Sequence, residues 1–185
     1  MSYLFKLIMS LLVLFSIGQT QEVYLCVWRN PERTMTKIFK EAKDYKTITK
    51  KISPEQRKII EKRLGSELLP GQRETYQYYE MLDTKGNILG YIIASSQKGE
   101  YGAIEFVFGI DKEKKISGIY IQRARERDKE FKKEEFLKQF IGIGIEDIEK
   151  LEISKTIKAK KTVGTSAVLL GIKKELIAFY ELVEK

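Results

Sequence analysis

Lys160-Lys161-Thr162-Val163-Gly164-Thr165-Ser166 is the stretch of this chain whose residue types and spacing suit chemistry at an anion. Two ammonium groups and three hydroxyls stand before a segment with Leu169, Ile172, Leu176, Phe179 and Val183 at alternating three- and four-residue steps, the apolar stripe of a helix. A helix N-terminus presents amides without an intrahelical partner and the positive end of the dipole, so a phosphate can be received there. The dipole contributes only about 0.3 to 2 kcal/mol. A ligand kept at this junction therefore needs a covalent bond or a well-buried ring as well. Thr165 and Ser166 equally suit plain helix caps, and the helix is expected to follow one of them.

Composition removes other chemistries. The 185 residues include no His and one Cys, which excludes Cys/His zinc sites, Ser-His-Asp and Cys-His nucleophile systems and an internal disulfide. Cys26 lies in the apolar run Val23 to Trp28 and reads as a buried small thiol; Tyr24 and Leu25 before it are not the small residues that lipid attachment wants. Carboxylates are numerous, but no pair stands out for hydrolysis. "GIGIEDIE" has Gly142 and Gly144 without the third glycine or preceding strand of a dinucleotide loop, and reads as a turn. No catalytic or metal-ligating set is expected.

Lys and Arg number 34 against 26 Asp and Glu, a net charge of +8. The charges are interleaved, so most form a solvated surface, with room for an anionic ligand or contact with an anionic membrane face. The first eighteen residues, "MSYLFKLIMSLLVLFSIG", have Lys6, then the apolar stretch Leu7 to Ile17, then Ser16 and Gly18 at the small-residue spacing of signal-peptide cleavage. Residues 1–18 are expected to be an export signal, or an uncleaved N-terminal anchor, with the mature chain periplasmic or on the outer face of the cytoplasmic membrane. Export argues against a nucleic-acid partner.

These elements must position the junction. Pro31 to Ala42 has helical spacing at Met35, Ile38, Phe39 and Ala42. "SPEQRKIIEKRLG" is a helix with Ser53 as cap, Pro54 at the first position, Gln56 closing a capping box and Gly65 past the end. After Pro70-Gly71 the period changes. "TYQYYEML" and "ILGYIIAS" flank "DTKGN", and "YGAIEFVFGI" and "ISGIYIQRA" flank "DKEKK", giving two hairpins and four strands. Lys133 to Phe140 reads as a short helix. The expected fold class is α+β: an antiparallel meander sheet packed against a C-terminal helix, with small N-terminal helices. Residues 19–71 form the N-terminal helical segment and 72–185 the main domain.

The run "DTKGNILGYIIASSQKGEYGAIEFVFGIDKEKKISGIYIQ", followed by "RARERDKEFKKEEFLKQFIG" and "TVGTSAVLLGIKKELIAFYEL", resembles the FMN-binding domain family. That family includes the flavin-carrying subunits of the Rnf and sodium-translocating NADH:quinone reductase complexes and shorter exported relatives. The likeness lies in the Gly-containing hairpin, a Gly-Tyr pair, a Gly-Ile-Asp turn, an Ile-x-Gly strand and the Phe-Leu-x-Gln-Phe-x-Gly ending. It covers about Thr75 to Leu182.

The resemblance implies FMN as cofactor. In covalent members it is joined as a phosphoester to the last Thr of a Ser-Gly-Ala-Thr type motif by a separate flavin transferase. Matching the Ala-Val of the helix start to Ala167-Val168 puts Thr162 in the acceptor position, with Thr165 as a second candidate. Lys160 and Lys161 stand where the family has Gly-Ala. Many larger members carry a Glu-Thr-Pro-Gly-Leu-Gly loop near the flavin; here Glu126 is present and the rest is not. The implied binding set is Thr162, Thr165, Ser166, Gly164, Lys161, Tyr101, Gly102 and Glu126, with Lys160 and Lys161 against the phosphate. The chain would then be an exported electron carrier whose partners are a flavin transferase and a membrane or periplasmic redox protein. A flavin-free binding or assembly module of the same fold is the alternative.

Overall fold

The computed structural model describes residues 32–184, so the expected leader and the Val23 to Trp28 run lie outside the described residues. Among the described residues one antiparallel sheet has five strands in the spatial order of the chain: β1 (Asp44–Lys51), β2 (Thr75–Leu82), β3 (Ile88–Lys98), β4 (Ala103–Ile110) and β5 (Ile116–Arg123). The α+β meander expected from the sequence is therefore present. The turn before β3 is closed by Asp83, whose carboxylate accepts the Lys85 and Asn87 N–H groups at 2.7 and 2.9 Å, with Gly86 at φ +80°.

Strand β1 is an addition to the four expected, inside the segment read as helical. It pairs with β2 along its whole length, from Asp44 opposite Leu82 to Lys51 opposite Thr75. "DYKTITKK" lacks apolar alternation because this is an edge strand whose residues are all exposed or half-buried. Lysines there also discourage pairing with a second sheet.

Helix α1 (Glu32–Ile38) precedes β1, and α2 (Pro54–Leu64) joins β1 to β2. In α2 the Ser53 hydroxyl accepts the Gln56 N–H at 3.2 Å, Gln56 Oε1 accepts the Ser53 N–H at 3.0 Å, and Gly65 takes φ +73°. Two one-turn helices follow β5, α3 (Glu134–Leu137) and α4 (Ile145–Ile148), the latter inside the stretch read as a turn. The last helix, α5 (Val163–Phe179), begins earlier than expected. Its cap is Thr162, and Thr165 and Ser166 lie within the first turn.

Each sheet face is covered. On one, Tyr76, Tyr78, Ile93, Phe106 and Phe108 pack with Val168, Ile172, Leu176 and Phe179 of α5. The expected stripe Leu169, Ile172, Leu176 and Phe179 is buried there. On the other face, Met35 packs with Tyr79, Met81, Ile92 and Val107. Here the glycines of the family-like run have a packing role: a Cβ on Gly90 would come within 2.5 Å of Phe39 Cζ, and one on Gly109 within 2.5 Å of Ile38 Cγ2. They seat the end of α1 and the residue after it against the sheet.

The far end of α5 is fixed by ion pairs. Lys174 and Glu175 are both buried, 2.9 Å apart, and the pair is completed by Gln72 Oε1 accepting from Lys174 at 2.9 Å and the Ser95 hydroxyl donating to Glu175 at 2.7 Å. Past the helix, Arg63 meets Glu181 at 3.0 Å and Lys114 meets Glu184 at 2.7 Å. No helix among the described residues is long and apolar enough to cross a membrane.

Candidate functional site

The start of α5 is built by a reciprocal capping box of two threonines. The Thr162 hydroxyl accepts the Thr165 N–H at 3.1 Å, and the Thr165 hydroxyl accepts the Thr162 N–H at 2.9 Å. Thr165 also donates its own proton to the Lys160 carbonyl at 2.9 Å and is 0% exposed. It is thus a locked structural hydroxyl. Thr162 is half-buried, less enclosed than Thr165. The amides of Val163 and Gly164, in the first turn, have no intrahelical partner by helix geometry and lie at the positive end of the dipole.

Gly164 is held for packing: a Cβ there would lie 2.3 Å from Phe131 Cδ1. The fully buried Phe131 ring sits on the first turn of α5 and brings the preceding residues to its N-terminus. Among them is Asp128. Its carboxyl is held below the usual carboxylate range, first by the Thr162 hydroxyl, then by the Glu130 N–H, with the Lys160 charge adding to this. The Glu130 N–H donates to Asp128 Oδ1 at 3.0 Å.

A groove of about 630 Å³ opens beside this cap, lined by Lys98, Lys161, Thr162, Val163, Ser166, Ala167 and Leu170. That volume lies within the roughly 300 to 1,000 Å³ of small-molecule sites. One wall is the apolar ridge Val163, Ala167 and Leu170, at helical spacing; Val163 is 49% and Leu170 36% exposed. The other components are two ammonium groups, the Thr162 and Ser166 hydroxyls and the helix end. Such a groove suits a ligand with an anionic end and a flat apolar body.

The remaining expected residues form a second group. Glu126 is buried, and one carboxylate oxygen accepts the Tyr101 N–H at 3.1 Å. It fills the place a side chain on Gly99 would take, since a Cβ there would be 2.2 Å from Glu126 Oε1. The Gly99 N–H donates to the Gly102 carbonyl at 2.8 Å, closing the β3–β4 turn, and Gly102 adopts φ +133°. Tyr101 is 38% exposed, with the Arg127 guanidinium 5.0 Å from its ring centroid. A hydrogen bond to Glu100 raises its phenol above the ordinary range.

The structure therefore brings Lys161, Thr162 and Ser166 to one groove, with Gly164 and Thr165 behind it. Tyr101, Gly102 and Glu126 organise the turn that follows Lys98 and do not line that groove. Sequence reasoning did not single out Lys98, Asp128, Phe131 or the Val163–Leu170 ridge. Only the ridge carried a readable signal, its spacing of four and three residues.

No protein-family model matches the chain. Over 122 residues it is 26% identical to a protein of Methanosarcina acetivorans described as a subunit of an ion-translocating oxidoreductase complex, a match spanning 65% of this chain and 62% of that relative. The chain thus matches less than two thirds of the relative's length. It is also similar to the crystal structure of Shewanella oneidensis NqrC, at 13% identity and a TM-score of 0.44, with 89% of this chain and 90% of that one covered. The oxidoreductase-complex relative supports the resemblance to the FMN-binding domain family read from the motifs.

Proposed function

Taking the chain as a relative of the FMN-binding domain family, we propose that it is an FMN-carrying electron-transfer protein of a membrane-associated redox complex. The flavin is tethered through a phosphoester on Thr162. The observation that carries this reading is the groove itself: the half-buried Thr162 that lines it, two ammonium groups and a helix N-terminus stand at the end of an apolar ridge. Thr162 is the better tether of the two candidates because Thr165 is fully buried and its hydroxyl is already bonded on both sides.

FMN, when bound, supplies reversible one- and two-electron chemistry at its ring system. The protein's own residues bind and orient. Lys98 and Lys161 balance the phosphate charge, the Val163 and Gly164 amides face it, and Val163, Ala167 and Leu170 offer an apolar surface to the ring. Glu126 fixes the β3–β4 turn and with it the position of Lys98. The tether answers the weakness of the site, since the dipole and two exposed ammonium groups amount to only a few kcal/mol at best. Export by the first eighteen residues, with the carrier working on the outer side of the membrane, completes the proposal.

Co-expression of the full chain with a flavin transferase tests it by visible spectrum and intact mass. A flavin spectrum with added mass of about one FMN less water supports a tethered carrier. Colour without added mass means non-covalent binding. A colourless protein of unchanged mass removes the reading and leaves a binding or assembly module.

A further inference from the structure

We propose that the outer edge of β1 is a docking site for an acidic, extended segment of a partner protein, which adds to the sheet as a further strand. The inference does not depend on the flavin reading, because no residue of β1 lines the groove.

The two edges of the sheet are finished differently. Strand β5 breaks its register with β4 at two places, and such bulges twist an edge away from new partners. Helix α1 lies against it, with Gln122 Nε2 donating to Thr34 Oγ1 at 3.3 Å. Its first residue is already paired outward: the Ile116 N–H donates to the Ile143 carbonyl at 3.0 Å, and the Ile116 carbonyl accepts the Gly142 N–H at 2.8 Å. Strand β1 has none of these devices among the described residues. Its eight residues, about 26 Å of extended chain, pair with β2 in one unbroken register.

The ladder geometry shows which backbone groups this edge leaves open. The Ile52 N–H donates to the Glu74 carbonyl at 2.8 Å, continuing the register in which Lys51 stands opposite Thr75. In an antiparallel pair alternate residues bond in this way, so Lys50, Ile48 and Lys46 turn their N–H and C=O groups toward β2. Thr47, Thr49 and Lys51 turn theirs away, and all three residues are exposed. The Tyr45 N–H belongs to the same outward set and is taken by Asp44 Oδ1 at 2.8 Å. The open ladder therefore runs from Thr47 to Lys51.

The charges select the occupant. Lys43, Lys46 and Lys51 are exposed, and among the described residues none of them is in an ion pair, although Glu80 stands opposite Lys46 on β2. The Lys50 ammonium is spent on the Leu182 carbonyl at 2.6 Å, and the strand's one carboxylate, Asp44, on the Tyr45 N–H. A second copy is a poor occupant: in a two-fold antiparallel pairing centred on Ile48, Lys46 of one chain faces Lys50 of the other, and like charges directly opposite are destabilising. An acidic strand turns the same positions into favourable cross-strand pairs. Main-chain bonds then supply affinity and the lysines the choice of partner.

The test uses the full chain and two synthetic peptides with blocked ends, one alternating Val or Thr with Glu, the other carrying Lys in place of Glu. Amide hydrogen exchange followed by NMR is the readout. The acidic peptide is expected to slow exchange at Thr47, Thr49 and Lys51 by about 10-fold at roughly nine-tenths occupancy, leaving Lys46, Ile48 and Lys50 unchanged. Lys46→Glu with Lys51→Glu should weaken the acidic peptide by about 10-fold or more and admit the lysine peptide. Thr49→Pro removes an outward N–H without touching a β1–β2 bond, and should abolish the protection at Thr47 and Lys51. Equal protection by both peptides, protection by neither, or protection that survives Thr49→Pro would overturn the proposal. So would a concentration-dependent dimer in sedimentation whose Thr47, Thr49 and Lys51 amides are protected without peptide. Should Thr49→Pro fail to fold, the charge-reversed variant and the two peptides decide.

Discussion

Gly164 lies against the ring of Phe131 so closely that a Cβ on the glycine would come within 2.3 Å of Phe131 Cδ1. This contact joins the segment after β5 to the first turn of α5, where the candidate tether stands. A glycine in a helix ordinarily weakens it by about 1 kcal/mol relative to alanine. Here the overpacking penalty of about 1 to 3 kcal/mol acts in the opposite direction, because the neighbour is a fully buried ring. Gly164→Ala is therefore expected to lower the urea midpoint. A rise in the midpoint would show that the ring yields without strain.

Glu126 and Gly99 should be energetically coupled, since Gly99 leaves room for the carboxylate that holds the Tyr101 N–H. Gly99→Ala should destabilise wild-type protein by about 1 to 3 kcal/mol. In a Glu126→Ala background it should do so by clearly less, a coupling of at least about 0.5 kcal/mol in a double-mutant cycle by denaturant unfolding. Additive effects would mean that the turn holds its shape without the carboxylate.

The buried Lys174–Glu175 pair predicts an asymmetry between single and double replacement. Lys174→Met leaves Glu175 buried with the Ser95 hydroxyl and without its ammonium, and should cost about 3 to 5 kcal/mol. Lys174→Met with Glu175→Leu should regain more than half of that loss, because no charge is then left unpaired. Chemical denaturation of the three proteins checks it, and a double variant as weak as the single one would contradict the argument.

Lys98 and Lys161 face the groove from different elements and are both exposed, so each should contribute modestly and be screened by salt. Lys98→Ala with Lys161→Ala is expected to weaken non-covalent FMN binding by about 3- to 30-fold at low ionic strength, from roughly 0.3 to 1 kcal/mol per charge. The difference should shrink at high salt. Quenching of flavin fluorescence measures both. An affinity equal to wild type at low salt would place the phosphate elsewhere.

The legible parts of this fold were those with strong local signals. Ser53, Pro54, Gln56 and Gly65 mark both ends of α2, and the two hairpins announce themselves through short polar turns between apolar strands. Strand β1 was illegible because an edge strand with no buried residue has no apolar alternation to show, and only its run Thr47-Ile48-Thr49 hints at β structure. The start of α5 was misplaced by about one turn because three hydroxyl residues compete for the cap. The reciprocal Thr162–Thr165 bonds that decide between them are a three-dimensional fact. Phe131 belongs to the same class: it sits in a charged run, and only packing across the fold brings its ring to Gly164. The glycines at 90 and 109 carried the family likeness, yet nothing in their spacing revealed that they seat α1.

Locating the modified residue tests the account most directly. The full chain, co-expressed with a flavin transferase, would be digested and its flavin-bearing peptide sequenced by mass spectrometry. The prediction is one FMN phosphoester on Thr162, absent from Thr162→Val and retained in Thr165→Val if that variant folds. Flavin on Thr165, or covalent flavin persisting in Thr162→Val, would contradict the assignment of the Thr162 hydroxyl as the tether. Protein with no covalent flavin at either threonine would contradict the tethered carrier altogether.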